Sequence, residues 1–322
     1  MPTVLITGGY AGIGIECAKQ LASGPRLNLL LGGRDLGRVE RAAAKLRADY
    51  GVDVATLKLD ISSLSSVREA AAQCRTMLDS GAVDSLQAIL CNAGAQFQGP
   101  ISYSVDGYEE TFATNCLGHF LLVELLIDRV SDQGRVVFTA SGTHDPETMD
   151  GKMVGAAVEP DATALAFDGK NGAKPLSGGK RYSTSKLCTI LYAYELDRRL
   201  RAHHSSIVSI AFDPGLIPET GLVRTSPKPV QWLARTLLMK WFFERVGVTM
   251  GSIGFSGAGL AKMVADPSFA HGSGKYFQSN NGSLIDARSS KMSYDVNRAG
   301  KLWGDSRQLV KLQPHEESAL LQ

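Results

Sequence analysis

The stretch TVLITGGYAGIG, residues 3–14, decides how this chain is read. A short apolar, β-branched run ending at Thr7 leads straight into glycines at 8, 12 and 14, and an amphipathic pattern follows. Val4–Thr7 reads as a strand and Gly14–Ser23 as a helix. Glycines there let the backbone turn tightly and come close to a pyrophosphate. The helix N-terminus offers that anion free N–H groups and the positive end of its dipole. A glycine triplet alone also serves as a plain strand-to-helix turn. Its place between the first strand and the first helix favours a dinucleotide loop built from Gly8, Tyr10, Gly12, Ile13 and Gly14.

The same alternation continues outward from this loop. Leu27–Leu31, Val54–Leu59, Ser85–Cys91, Arg135–Thr139 and Ile207–Phe212 read as further strands. Leu36–Tyr50, Ser65–Leu78 and Leu117–Val130 read as helices between them. Several strand runs are almost wholly apolar, as when helices cover both faces of a parallel sheet. An α/β fold is predicted, with one doubly wound parallel sheet forming a single domain over residues 1–322. The segment 142–181, rich in Gly, Ala, Asp and Lys, reads as a long insertion loop.

The second strand of such a sheet ends beside the adenosine ribose. Here the chain reads LLLGGRDLGR (residues 29–38), with Arg34 where a carboxylate would select an unphosphorylated ribose. A guanidinium binds a 2′-phosphate through paired, charge-assisted hydrogen bonds, so NADPH/NADP+ is expected, with Arg38 one turn on in support. Asp35 reads as the N-cap of the next helix.

Composition narrows the function classes. The 34 basic and 32 acidic residues leave a net charge of +2 with no basic stripe, so no nucleic-acid partner is expected. Five widely spaced cysteines (Cys17, Cys74, Cys91, Cys116, Cys188) show no zinc-ligand spacing, and free thiols in a cytoplasmic setting are expected. No metal site is expected; His119, His144, His203 and His204 read as solvated or helix-face residues. With the first strand beginning near Thr3, no signal or transit peptide is expected. No apolar stretch is read as a membrane span.

The chain resembles the short-chain dehydrogenase/reductase family across nearly its whole length. The matching pieces come in the family's order: TGGYAGIG, LDI around Asp60, NAG at Asn92–Gly94, NCLGHF from Asn115, VVFTAS ending at Ser141, YSTSK at Tyr182–Lys186, and DPG at Asp213–Gly215. YSTSKLC, PGLIPETGL, VADPSFAHGSGKYF and AGKLWGDSRQLVKL are similar to the branch that includes retinol dehydrogenases and light-dependent protochlorophyllide reductases. The resemblance implies a Rossmann-type sheet. It also implies cofactor contacts from Asp60 and Ile61 at the adenine, from Asn92, Ala93 and Gly94, and from Pro214, Gly215 and Ile217 at the carboxamide. This chain has Glu219 where a threonine is common, so that contact is assigned to Thr220.

Tyr182 and Lys186, four positions apart, share one helix face. To trade protons near pH 7 a phenol must move down from its usual value of ~10, and a shift of roughly 3 units is worth ~4 kcal/mol. The Lys186 ammonium is the expected source, and the resemblance adds a bond from Lys186 to the nicotinamide ribose. Ser141, at the C-terminal end of a strand, is expected to hold the substrate oxygen. Asn115 reads either as an ordinary N-cap or, by resemblance, as the anchor of a proton relay. Cys188 reads as a small buried residue or as a match to the protochlorophyllide reductase pattern.

The run PVQWLARTLLMKWFFERV (residues 229–246) is too apolar for a helix merely resting on a sheet. It reads as core, as a lid (217–248) over a bulky hydrophobic substrate, or as a peripheral membrane contact. Ser141 and Tyr182 stand 41 positions apart. An insertion of that length covers the face through which compact relatives form tetramers, so a monomer is expected. The leading functional reading is an NADPH-dependent carbonyl reductase or alcohol dehydrogenase. A carbon–carbon double-bond reductase and a non-catalytic NADP(H) sensor are the alternatives.

Overall fold

The computed structural model describes residues 1–24, 27–170, 172–217, 245 and 248–322. Strands β1 (Thr3–Thr7), β2 (Asn28–Gly33), β3 (Val54–Lys58), β4 (Leu86–Cys91), β5 (Val130–Thr139), β6 (Val208–Asp213), β7 (Lys275–Asn280) and β8 (Ser283–Ala287) form one sheet. Their order is β3-β2-β1-β4-β5-β6-β7-β8. All neighbours are parallel except the closing β7–β8 pair.

Residues alternate across this sheet because successive strand side chains point to opposite faces. Leu5, Leu30, Ile89 and Val136 pack on one face. Val4, Ile6, Leu29, Leu31, Leu90 and Val137 pack on the other. The second face is covered by α1 (Gly12–Ser23), α2 (Leu36–Tyr50) and a helix over Ile253–Ala265. The first is covered by α3 (Leu64–Asp79), a long helical segment from Glu110, the helix Gly178–Ala202 and the helix Val296–Leu309. Asp35 caps α2 as expected, its carboxylate accepting from Arg38 N at 3.0 Å.

The Glu110 segment begins as α4 (Glu110–Phe112), takes a π turn over Ala113–Leu117 and continues as α5 (Gly118–Leu126). Asn115 therefore lies inside a helix and is not an N-cap. Every residue of α5 is buried, including the polar His119 and Glu124, the latter paired with Arg307. By length and mean hydropathy Glu110–Arg129 is also long and apolar enough to cross a membrane, contrary to the sequence reading. With 94% of its 18-residue apolar window buried, it is a core helix.

The segment read as a loop is folded. It holds a 3₁₀ turn over Gly142–His144, α6 (Met149–Val154) and α7 (Ala162–Ala166), and leads into α8 (Gly178–Ala202). Its glycines mark close packing: a Cβ on Gly151 would stand 2.1 Å from Asp145 O, and one on Gly179 1.7 Å from Val154 O. Further α-helices among the described residues are α9 (Ile253–Ala265) and α10 (Val296–Leu309). Thr220 and most of the expected lid lie outside the described residues.

Candidate active site

The strand order reverses between β1 and β4, and the crevice at their carboxyl ends is where open α/β sheets bind ligands. Thr7 ties the two strand ends together. Its hydroxyl accepts from Asn92 N and Ala93 N, both at 2.9 Å, and Asn92 Nδ2 donates to Thr7 O at 2.9 Å. Gly8 and Gly12 have φ of 66° and 54°, in the region that favours glycine. A Cβ on Gly14 would meet Gly8 O at 2.5 Å, whereas one on Gly12 would meet nothing within 4 Å. The loop is thus close-packed beneath and open above, leaving the α1 N-terminus accessible.

Tyr10 packs on Gly33, and the Arg38 guanidinium lies 5.0 Å over the Tyr10 ring. Arg34 is exposed at the end of β2. Asp60 accepts from Ser62 N at 3.0 Å and from the Ser62 hydroxyl at 2.8 Å, which fixes the turn after β3. Ile61 O lies where any Cβ on Gly118 would stand, 1.9 Å away, so that loop is pressed onto α5. On β6, Asp213 accepts from Gly215 N at 2.8 Å and holds the turn carrying Pro214 and Ile217.

Ser141 follows β5, and Tyr182 and Lys186 project from α8 into the same space. Burial pushes the Tyr182 phenol up to about 12; a hydrogen bond with Ser141 acts the other way, and the Asp213 carboxylate adds to the rise. Burial also pulls Lys186 down to about 8. Lys186 Nζ donates to Thr139 O at 2.8 Å and lies 5.7 Å from the Tyr182 ring centroid. The expected depression of the phenol is therefore absent in the chain alone, because desolvation of the phenolate outweighs an ammonium at that distance.

Asn115 joins three elements. Its amide accepts from Ala95 N at 2.9 Å and donates to Ala95 O at 3.0 Å and Ser185 Oγ at 2.9 Å. A Cβ on Gly94 would stand 3.2 Å from Asn115 Oδ1 and 3.5 Å from Lys186 Nζ, so the Asn92–Gly94 loop closes directly over this group.

Two of the histidines read as solvated or helix-face residues are buried, His119 on α5 and His144 in the 3₁₀ turn. His119 Nε2 lies 2.9 Å from the Thr7 hydroxyl, and burial pulls its pKa down to about 3. His144 bonds to Ser141 O and Ser290 N. Among the described residues, no group of three His, Cys, Asp or Glu is arranged to hold a metal ion.

A buried carboxylate pair stands behind Ser141. A Cβ on Gly142 would lie 2.9 Å from Asp150 Oδ2 and 3.1 Å from Asp213 Oδ2. Burial raises Asp150 from 3.8 to about 6, opposed by Thr249 and reinforced by the Asp213 charge. A raised folded-state value means this group's stabilisation is complete below the unfolded value near 3.8 and is lost as pH rises through about 6. Asp150→Asn keeps an acceptor for Thr249 N without the titration. By urea unfolding it is expected to exceed the parent by about 1–3 kcal/mol at pH 7.5, with the gap closing at pH 4. An equal gap at both pH values would contradict this.

Comparison with known proteins gives this geometry a context. Residues 2–152 match the sequence model for short chain dehydrogenases. Protochlorophyllide reductase B of Oryza sativa subsp. japonica is 32% identical over 332 residues, covering 98% of this chain and 79% of its own. The chain belongs to the short-chain dehydrogenase/reductase family. Protochlorophyllide reductase A of Arabidopsis thaliana is 33% identical, with 96% of this chain and 76% of its own covered. The expected branch is thus the one found. A solved structure of an uncharacterized protein from Mycobacterium paratuberculosis has a TM-score of 0.65 and 26% identity, covering 97% of this chain and 94% of that one. A short chain dehydrogenase from Burkholderia cenocepacia J2315, solved with NADP, has a TM-score of 0.62 at 20% identity, covering 87% and 97%, and shares the fold. As a member of this family the chain is an oxidoreductase.

Proposed function

We propose that this oxidoreductase uses NADPH/NADP+ and moves hydride between nicotinamide and a carbonyl or alcohol carbon of a bulky hydrophobic substrate. The approach of the Ser141 hydroxyl to the Tyr182 phenol, with Lys186 one turn on, carries the reading: two hydroxyls converge where a substrate oxygen would be held. The open backbone at Gly12 fits a pyrophosphate, and exposed Arg34 fits a 2′-phosphate. Gly8, Tyr10, Gly12, Ile13, Gly14, Arg34, Asp60, Ile61, Asn92, Ala93, Gly94, Pro214, Gly215 and Ile217 would hold the dinucleotide, with Thr220 beyond the described residues.

When bound, the nicotinamide supplies or accepts the hydride. Ser141 orients the oxygen, Tyr182 gives or takes its proton, and Lys186 favours the phenolate as charge develops. Asn115 anchors the relay that restores the proton. The apolar run 229–246, outside the described residues except for Arg245, is the reason for choosing a bulky hydrophobic substrate. A monomer in a reducing, cytoplasmic compartment belongs to the same reading: α8 is largely buried, and all five cysteines are buried free thiols.

Similarity to protochlorophyllide reductases over nearly the whole chain favours a second reading, reduction of a carbon–carbon double bond. β-Ionone, a bulky unsaturated ketone, separates the two when incubated with NADPH in the dark and in light. An allylic alcohol formed in the dark is expected, with NADH a poorer donor and Arg34→Ala narrowing the preference. A saturated ketone establishes the second reading instead.

A further inference from the structure

His144 is a buried imidazole with no part in the chemistry so far described. Nδ1 lies 2.7 Å from Ser141 O, and Ser290 N donates to Nε2 at 3.0 Å. A carbonyl only accepts and an amide N–H only donates, so the ring is neutral, carries its proton on Nδ1 and has both nitrogens engaged. Burial pulls its pKa down, opposed by its bond to Ser141 and by the Asp213 and Asp145 charges. The ring also packs against Tyr276, with centroids 5.1 Å apart, and Tyr276 OH donates to Asp213 Oδ2 at 2.9 Å.

The imidazole therefore fastens the main chain of Ser141 to a loop 149 positions away in the sequence. From the same 3₁₀ turn, Thr143 Oγ1 and Thr143 N approach Ser141 Oγ at 3.2 and 3.4 Å. The turn holds both the carbonyl and the hydroxyl of one serine.

We propose that His144 is a positioning residue that fixes Ser141 so that its hydroxyl meets the Tyr182 phenol. The inference rests on the proposed roles of Ser141 and Tyr182. It gives the inserted segment a task, since the residue that clamps the serine comes from the start of that segment. Only an imidazole, or a side chain placing a donor at the Nδ1 position, performs this task. Asparagine can put its amide N–H there, glutamine reaches only the Nε2 position, and phenylalanine keeps the ring packing with neither bond.

The test follows the ¹³Cζ resonance of labelled Tyr182 in the full chain at pH 8, assigned by its absence in Tyr182→Phe. Ser141→Ala is expected to displace the resonance. His144→Phe and His144→Gln should displace it the same way by at least half as much, and His144→Asn should leave it near its original position. In a Ser141→Ala background, His144→Phe should add nothing, because His144 acts through the serine. If Ser141→Ala moves the resonance while folded His144→Phe and His144→Gln do not, the positioning role is overturned. A further displacement in the double variant also overturns it. If Ser141→Ala itself leaves the resonance in place, the Ser141–Tyr182 pairing fails first, taking the proposed function and this inference with it. His144→Gln decides the matter should His144→Phe not fold.

Discussion

Tyr182→Phe is expected to lower the rate of β-ionone reduction by a factor of roughly 10²–10⁴ and to leave NADPH affinity within about threefold. That loss corresponds to ~3–5 kcal/mol of transition-state stabilisation. In the chain alone the phenol is pushed up to about 12, so it is protonated throughout the physiological range and ready to donate. A phenol in that state suits reduction, in which oxygen gains a proton as carbon gains hydride. Oxidation needs the phenolate, which burial opposes and which the Ser141 hydroxyl and added positive charge favour. Phenylalanine keeps the ring in its packed position and removes only the acid. Rapid-quench turnover and fluorescence titration of NADPH check the two halves separately. If the variant keeps a rate within tenfold of the parent, the proton comes from elsewhere. With a saturated product, that outcome would favour double-bond reduction.

The order of strands and helices was legible because each apolar run through β6 packs on helices from both sides and so carries a strong pattern. The hairpin β7–β8 was not read. Ser283–Ala287 has no buried residue, so no hydrophobic alternation marks it. The signal present was Asn281-Gly282, both at positive φ in a two-residue turn, flanked by the Lys275–Asn280 run. The inserted segment was misread for a related reason. Helices of six and five residues are too short for periodicity to register, and glycines that mark close approach look the same as glycines that mark a loop. Its capping residues, Thr148 and Asp161, were the available cue.

At the site, Tyr182, Lys186, Ser141 and Asn115 were legible as motif members, and the structure brings all four together. Their electrostatics were not. The sequence places a lysine one turn from a tyrosine, but it does not tell how much water each loses. Here desolvation sets both directions. His119 and His144 were missed because an isolated histidine has no periodic signature. Their partners, Thr7, Ser141 and Ser290, lie 112, 3 and 146 positions away.

Glu109→Ala is expected to destabilise the fold by about 3–5 kcal/mol, the largest stability effect among the described ion pairs. Arg181 Nε and Glu109 Oε1 are 3.0 Å apart, with side chains only 4% and 2% exposed. Burial raises the Glu109 carboxyl, opposed by its bonds to Phe112 N and Thr111 and by Arg181. The guanidinium also donates to Leu176 O at 2.6 Å, Phe97 O at 3.1 Å and Gly99 O at 3.4 Å. Removing the carboxylate leaves a buried cation facing only carbonyl dipoles and leaves Phe112 N without its cap. Exposed pairs such as Lys291–Glu147 lose little when broken, because water replaces the partner. Arg181 directly precedes Tyr182, so the damage falls at the start of α8. The rate of reduction should drop in the folded fraction as well. Glu109→Gln keeps one acceptor, for Phe112 N, with its amide nitrogen facing Thr111, and is expected to lose less than Glu109→Ala. Urea unfolding of the two variants side by side measures both quantities. A loss under about 1 kcal/mol in Glu109→Ala would mean that water enters to solvate Arg181 and that this pair does not anchor the helix.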